Sequence, residues 1–303
     1  MVSKKRKFHI FSKNRSLSEK IVFAIAFILL FAYATYILFF FVFAFLAALR
    51  PSGEYFDTER YLHQNIFSWP KNATFQQFIN SFDTLASING HRDSFLTITW
   101  NSLWRTTTYV FLSILTSSMV CYVLVFYRNK FTKFIYDLGI LVSILPLYGS
   151  AAATYRLYTN IGFINNPIAL ITSIGLFGGY FFYMYAFYKT LSWEYAEAAF
   201  VDGASHYRTF FQVMLPMVIP SASALFVMSF ISSWNDYEST ILYMSQYPNL
   251  AYAVYALDSS SKYLDNYPSY LAGVLISLVP ILALFIIFQN SIMEKVHLGG
   301  LKG

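Results

Sequence analysis

Two polar clusters stand out from an otherwise apolar chain. The first runs from Glu194 to Pro216 and contains Glu197-Ala198-Ala199, Asp202-Gly203 and Leu215-Pro216. Glu and Ala are good helix formers, and Ser192 is placed to cap a short helix over them. Gly203 supplies the positive φ of a sharp turn. A second amphipathic helix is expected beyond it, burying Tyr207, Phe210, Phe211 and Met214 at helical spacing and closed by Pro216 and Pro220. Two short helices with a tight elbow make a protruding knob rather than a pocket. Small alanine side chains on that knob suit docking into another protein's cleft, which is binding chemistry rather than catalysis.

The second cluster is Trp234, Asn235, Asp236 and Glu238, set in the apolar run Pro220–Met244. At about 1.5 Å per residue, Asp236 would lie about 24 Å along a helix from Pro220. A charge at the centre of a bilayer costs about 2.5–3.5 kcal/mol on insertion scales, so these groups should face a bundle interior or a cavity. Two readings stay open. They line a solute path, with Trp stacking and carboxylates accepting hydroxyl hydrogens, or they make interhelical polar contacts at a helix that ends early and leaves Glu238 near the outer headgroups. The aromatic run from Tyr180 to Tyr188 could line the same path, but helix packing is the commoner use of such residues.

No catalytic or metal-binding residue is expected. His9, His63, His91, His206 and His297 are scattered over tails and loops with no i, i+4 pair, and the single Cys121 excludes a disulfide scaffold and a multi-cysteine metal site. There is no G-x-S-x-G nucleophile motif. There is also no GxxxxGK[ST] phosphate loop, so the chain has no nucleotide cradle of its own.

The elements that position these clusters are membrane helices. The 303 residues are 57% hydrophobic and only 12% charged, about half the charged share of an ordinary globular chain. With 32 Phe and 25 Tyr, disorder is excluded as well. A span needs roughly 20 mainly apolar residues, and six stretches qualify: Ile21–Leu49, Trp100–Tyr127, Phe134–Tyr158, Pro167–Tyr188, Pro220–Met244 and Ser269–Met293. The first is too long for the apolar region of a cleaved signal peptide.

Orientation follows from the basic residues. Lys4, Lys5, Arg6, Lys7, Lys13, Arg15 and Lys20 precede the first span, and Arg128, Lys130, Lys133, Lys189, Arg208, Lys295 and Lys302 fall on the same side. Both termini are therefore expected in the cytoplasm. The net charge of +6 is then a topology signal and not a nucleic-acid footprint. The expected organisation is a basic cytoplasmic tail (1–20), a first transmembrane helix (21–49), an extracellular cap of short helices (50–99), a five-helix core (100–293) holding the inner loop 190–216, and a C-terminal tail (294–303).

The inner loop resembles the EAA loop of bacterial ABC-importer permeases, whose pattern is EAA, three residues, G, nine residues, an aliphatic, one residue, LP. Glu197-Ala198-Ala199, Gly203, Val213 and Leu215-Pro216 occupy every element, with Val where Ile is commoner. Asn101-Ser102-Leu103 is similar to the family's NSL, Tyr122 followed by Arg128 to its AYxLxR, and Ile161-Gly162-Phe163-Ile164-Asn165-Asn166 to GLINT. Trp234-Asn235-Asp236 resembles WNE, and Gly299-Gly300-Leu301-Lys302-Gly303 resembles the GGVKG ending of the maltose-type carbohydrate subunits with six spans. The departures are Cys121, where Ala is usual, and an unusually aromatic fourth span.

The resemblance implies an all-α, type I ABC-importer permease in a bacterial plasma or inner membrane, with sugar or oligosaccharide as cargo. It implies that Glu197, Ala198, Ala199, Asp202, Gly203, Leu215 and Pro216 couple the chain to ATPase subunits. The implied partners are a second homologous permease chain, two cytoplasmic ATPase subunits holding ATP and Mg, an extracellular solute-binding protein and membrane lipid. The chain itself would need no cofactor and bind no nucleic acid. A non-sugar importer is the alternative within the family. A stand-alone secondary transporter would require inverted repeats and ion-coupling carboxylates; no repeat is visible, and only Asp236 and Glu238 could serve.

Overall fold

The computed structural model describes residues 17–51, 69–86, 94–144, 150–172, 174, 177, 180–259 and 267–296. Among these, the regular structure is helical: α1 (Leu17–Ala48), α2 (Gln76–Ala86), α3 (Phe95–Phe126), α4 (Lys130–Ile144), α5 (Ser150–Asn160), α6 (Ile168–Thr172), α7 (Phe181–Lys189), α8 (Glu194–Val201), α9 (His206–Thr209), a π-turn (Phe210–Met214), α10 (Leu215–Trp234), α11 (Glu238–Tyr243), α12 (Leu250–Ser259) and α13 (Tyr267–Val296).

Among the described residues, three helices are long and apolar enough to cross a membrane: α1, α3 and the Tyr267–Gln289 part of α13. A fourth candidate is bent by 76° between His206–Pro220 and Ala222–Trp234. Helix α1 shows why the surroundings must be lipid. It is apolar on every side, yet within it only Ala47 and Ala48 are buried, where they pack on Leu271 and Ala272 of α13. A helix apolar all round is stable only inside a protein or a bilayer, and among the described residues almost nothing covers this one.

Three of the expected continuous spans are interrupted. Phe134–Tyr158 contains α4 and α5, with 145–149 outside the described residues, and Pro167–Tyr188 contains the separate helices α6 and α7. Pro220–Met244 starts earlier than expected, at Leu215, and its helix ends at Trp234. Asp236 explains that stop: its Oδ1 accepts from the Ser239 amide at 3.0 Å and so starts α11 instead of continuing α10. Pro216 explains the start. It has no N–H and its ring crowds the carbonyl four residues back, and the wider π-turn just before it gives that carbonyl room, with the Leu215 amide reaching Phe210 O.

Of the expected extracellular cap, α2 is a helix, while 52–68 and 87–93 lie outside the described residues. Two hydrogen bonds fasten its N-terminal end, and Leu85 packs the other. The Thr74 amide donates to Leu49 O at 2.9 Å, and Ser269 Oγ donates to Gln77 Oε1 at 2.6 Å. Leu85 seats against Gly273 of α13, where a Cβ would lie 3.3 Å from its side chain.

Two buried clusters divide the bundle lengthwise. One gathers Cys121, Tyr122, Phe181, Met184, Tyr188 and Met214, beneath the knob; the other gathers Leu85, Val110, Phe230, Trp234, Leu250 and Leu257 around α3, α10 and α12. Helix α10 runs from the first cluster to the second. Within the aromatic run, Phe181 and Tyr188 are fully buried packing residues, whereas Phe182 and Tyr183 face outward.

Candidate functional site

The knob is built as its sequence dictates. Ser192 Oγ accepts from the Glu194 amide at 3.3 Å ahead of α8. At the other end, Gly203 has φ +82°, the Gly203 amide donates to Phe200 O at 3.0 Å, and the Ala204 amide donates to Ala199 O at 2.9 Å. That pair of bonds, five-to-two and six-to-one, is a Schellman closure with Gly in the left-handed position. Ser205 then caps α9 through its Oγ, which accepts from the Arg208 amide at 3.4 Å. Gly162 repeats the arrangement after α5, with φ +72° and the Phe163 amide on Tyr158 O at 2.8 Å.

Glu197, Ala198, Asp202, Gly203 and Pro216 are exposed, while Ala199 and Leu215 are half-buried. The second knob helix buries only part of what was expected. Phe210 and Met214 are inside, but Tyr207 is 75% exposed and Phe211 45%. The reason is that only one face of this short element meets the bundle, and Phe210 fills it by packing on Tyr122 at 5.1 Å between ring centroids. Val201, Tyr195 and Tyr207 are thus large side chains left exposed on the knob, of the kind that a partner protein covers.

Sequence reasoning missed the way the knob is fastened. Tyr127 Oη and His206 Nδ1 are 2.6 Å apart, and Trp193 packs on Phe126 and Phe200 at 5.2 and 5.8 Å. Tyr127 sits where α3 ends. Just beyond, Asn129 and Thr132 exchange side-chain-to-amide bonds at 2.8 and 2.9 Å, which starts α4 with a reciprocal cap. The knob is therefore held by the α3–α4 corner as well as by α10.

The second site lies at the far end of α10. Its four sequence candidates separate. Trp234 is 2% exposed, stacks on Phe230 and donates its indole N–H to Ser277 O at 3.1 Å, an interhelical contact. Asn235 is exposed and returns its Nδ2 to Ile231 O, and Glu238 is exposed at the start of α11. Asp236 alone of the four lines a cavity of about 450 Å³, together with Arg105, Tyr109, Tyr158, Ser233 and Tyr243.

Arg105 organises one wall of that cavity. Its Nη1 donates to Thr240 Oγ1 and Tyr247 O at 2.7 and 2.8 Å, and its Nη2 donates to Ser239 Oγ at 2.9 Å. Neighbouring residues of α3 grip the same segment: Asn101 Nδ2 donates to Pro248 O at 3.0 Å, and Ser102 Oγ accepts from the Leu250 amide at 2.7 Å. Asn249 closes the turn from within, with Nδ2 on Asp236 O at 2.8 Å and Oδ1 accepting from Thr240 Oγ1 at 3.1 Å. From the other side, Asn165 Oδ1 accepts from the Gln246 amide at 2.9 Å while its own amide donates to Tyr243 O at 2.7 Å. An irregular stretch in an apolar setting must have its backbone groups satisfied, and these side chains do that for 236–250.

A third feature is a larger cavity of about 730 Å³ beneath the knob, bordered by Met119, Tyr122, Phe131, Ile135, Tyr207 and Phe210. Its walls are almost wholly apolar. Among the described residues, no three His, Cys, Asp or Glu side chains come together as a metal site.

Comparison with known proteins places this geometry. The family model described as "Binding-protein-dependent transport system inner membrane component" matches residues 11–292. The arabinooligosaccharides transport system permease protein AraQ of Halalkalibacterium halodurans is 30% identical over 262 residues, covering 85% of this chain and 88% of its own. The diacetylchitobiose uptake system permease protein NgcG of Streptomyces coelicolor is 28% identical, covering 77% of this chain and 76% of its own. A solved structure of a bacterial ABC transporter that imports the acidic polysaccharide alginate superposes with a TM-score of 0.73 over 92% of this chain and 99% of the compared chain, at 17% identity, and so shares the fold.

Proposed function

Because the chain belongs to the family of binding-protein-dependent transport system inner membrane components, we propose that it is the sugar-conducting permease subunit of an ATP-driven importer. Its relatives are named as permeases for arabinooligosaccharides, diacetylchitobiose, lactose and galactooligosaccharides, which supports a sugar or oligosaccharide over a non-sugar solute. The single observation that carries the mechanism is the knob: a Schellman-closed elbow at Gly203 that exposes Glu197, Ala198 and Asp202 together with Tyr195, Val201 and Tyr207.

In this reading the knob is the coupling element, and two separate ATPase subunits bind ATP and Mg. Glu197 offers a charge to basic groups on the ATPase, Ala198 permits close approach, and Gly203 sets the angle between the two helices. Closure of the ATPase pair moves the knob, and differential contacts in the open and closed states shift the bundle between inward- and outward-facing forms. The membrane topology has six spans with both termini cytoplasmic. A second permease chain completes the path, and an extracellular binding protein delivers the sugar at the face carrying α2 and the 244–250 turn.

Purification of the tagged chain from its native membranes in mild detergent tests the class. The expected result is co-isolation of two ATPase copies and one homologous permease. A lone chain or a homodimer without ATPase, under conditions that preserve complexes, would overturn the coupling reading and bring secondary transport forward.

A further inference from the structure

We propose that the 450 Å³ cavity beside Asp236 is a subsite for one pyranose ring of a neutral sugar, with Asp236, Tyr109, Tyr158 and Tyr243 as its contacts. The proposal rests on the importer reading above and adds to it a place where this chain touches the cargo.

The chemistry of a sugar sets the requirements. A pyranose presents apolar C–H faces, which rest on aromatic rings, and a rim of hydroxyls, which need fixed acceptors and donors. Tyr158 and Tyr243 meet at 5.1 Å between centroids and 60° between planes, so their rings form a corner. Tyr109 lines the same cavity from α3. Asp236 is oriented by the Ser239 amide on Oδ1, and its other carboxylate oxygen has no hydrogen-bond partner among the described residues. That oxygen is a fixed acceptor for a hydroxyl hydrogen.

Charge and size narrow the ligand further. Arg105 and Asp236 both border the cavity, so its wall carries one charge of each sign and favours no net-charged solute. Arg105 already donates to Ser239, Thr240 and Tyr247. It is a positioning residue that holds the wall, rather than a contact to cargo. A volume of about 450 Å³ lies towards the small end of the roughly 300–1,000 Å³ typical of small-molecule sites. A single ring fits there better than an extended oligosaccharide. The walls carry polar groups, so the space is wet when no sugar fills it. The larger cavity under the knob is mainly apolar, and its polar side chains Asn129, Thr132 and His206 already bond within the chain, so it suits a sugar less well.

The residues come from parts of the sequence far apart: 105 and 109 on α3, 158 on α5, 233 on α10, and 236 and 243 beyond it. Only Asp236 among them carried a sequence signal.

The test uses the whole complex in nanodiscs, with Ser233→Cys on a Cys121→Ala background. Co-isolated ATPase is checked first in the same preparation, because its absence would defeat the importer reading itself. A small, hydrophilic methanethiosulfonate reagent then labels the introduced thiol, with MgATP, vanadate and binding protein loaded in turn with arabino-oligosaccharide, lactose, raffinose or diacetylchitobiose. The expected result is labelling without sugar and protection by the transported sugar alone. Asp236→Asn should raise the sugar concentration needed for protection by about tenfold, as loss of a hydrogen bond to a charged group does. With ATPase present, a thiol labelled equally with and without every transported sugar overturns the subsite. So does a thiol that never reacts, since the cavity would then be closed to water.

Discussion

Gly203 offers a prediction whose size follows from geometry. Its φ is +82°, and a Cβ built on it would meet nothing within 4 Å. Substitution therefore costs backbone strain and no steric clash with this chain. An L-residue in the left-handed region costs about 1–2 kcal/mol, with Asn well below that and a β-branched residue at the upper end or beyond. Since 1.4 kcal/mol is a factor of ten, Ala should lower the population of the closed elbow about tenfold relative to competing conformers, and Val further still. Gly203 is exposed, so insertion and bundle stability should not change. The assay is reconstituted uptake per ATP hydrolysed, together with stimulation of hydrolysis by loaded binding protein. Coupling should fall in the order Gly, Asn, Ala, Val. Normal coupling in Gly203→Val would refute the argument. Equal loss in Gly203→Asn and Gly203→Val would refute it differently, because the added side chain and not φ would then be the fault.

Other substitutions probe the parts around that elbow. Arg105→Met removes three hydrogen bonds from a buried wall and leaves their acceptors unpaired, which should cost about 3 kcal/mol or more, since each hydrogen bond to a charged group contributes about 1.5–3. The thermal midpoint in detergent should fall further than in Arg105→Lys, and an unchanged midpoint would contradict the placement of Arg105. Trp234→Phe keeps a six-membered ring against Phe230 but loses both the N–H to Ser277 O and the volume of the second ring at a buried position, so about 2 kcal/mol is expected, against about 3–5 for Trp234→Ala. Equal effects of the two would mean that packing contributes little there. Tyr127→Phe breaks the bond to His206 and should loosen the knob by about 1 kcal/mol. Amide exchange should rise over 194–209 while staying level over 95–126, and a rise in both would show that Tyr127 supports the bundle as a whole.

How much of this was legible in the sequence depended on whether the signal was local. The elbow could be read because a helix stop needs only adjacent residues, and Asp202-Gly203 after Ala198-Ala199 supplies them. The early stop after Trp234 could be read only as an alternative, since it turns on whether Asp236 starts a new helix or continues the old one. The polar wall could not be read at all. Arg105 is separated from Thr240 by 135 positions and Asn101 from Pro248 by 147, and no periodicity links such pairs. In the sequence Arg105 is merely one charge near the start of the apolar run Trp100–Tyr127. Tyr207 and Phe211 failed for the converse reason: helical spacing sets which residues share a face but not how much of that face a neighbour covers. Partial burial is a tertiary property.

The arrangement of α10 connects the two sites in a way neither site shows alone. Its start is continuous with the knob through the π-turn, and its end carries Trp234, tied to Ser277 of α13, with Asp236 two residues beyond. Pro220 lies between, where the 76° bend falls, and a helix lacking one internal bond bends there at lower cost than elsewhere. A displacement of the knob therefore reaches the cavity wall through α10, whose ladder of backbone hydrogen bonds lacks a donor at Pro216 and at Pro220. The opposite wall is anchored differently, by Arg105 and Asn101 on α3, whose other end is joined to the knob through Tyr127 and His206. Both walls of the cavity are thus attached to the same knob by separate helices, one bent at a proline and one continuous. Arg105 ties Ser239 and Thr240 directly to α3, so a motion of the knob that separates the two helices would act first on those two bonds.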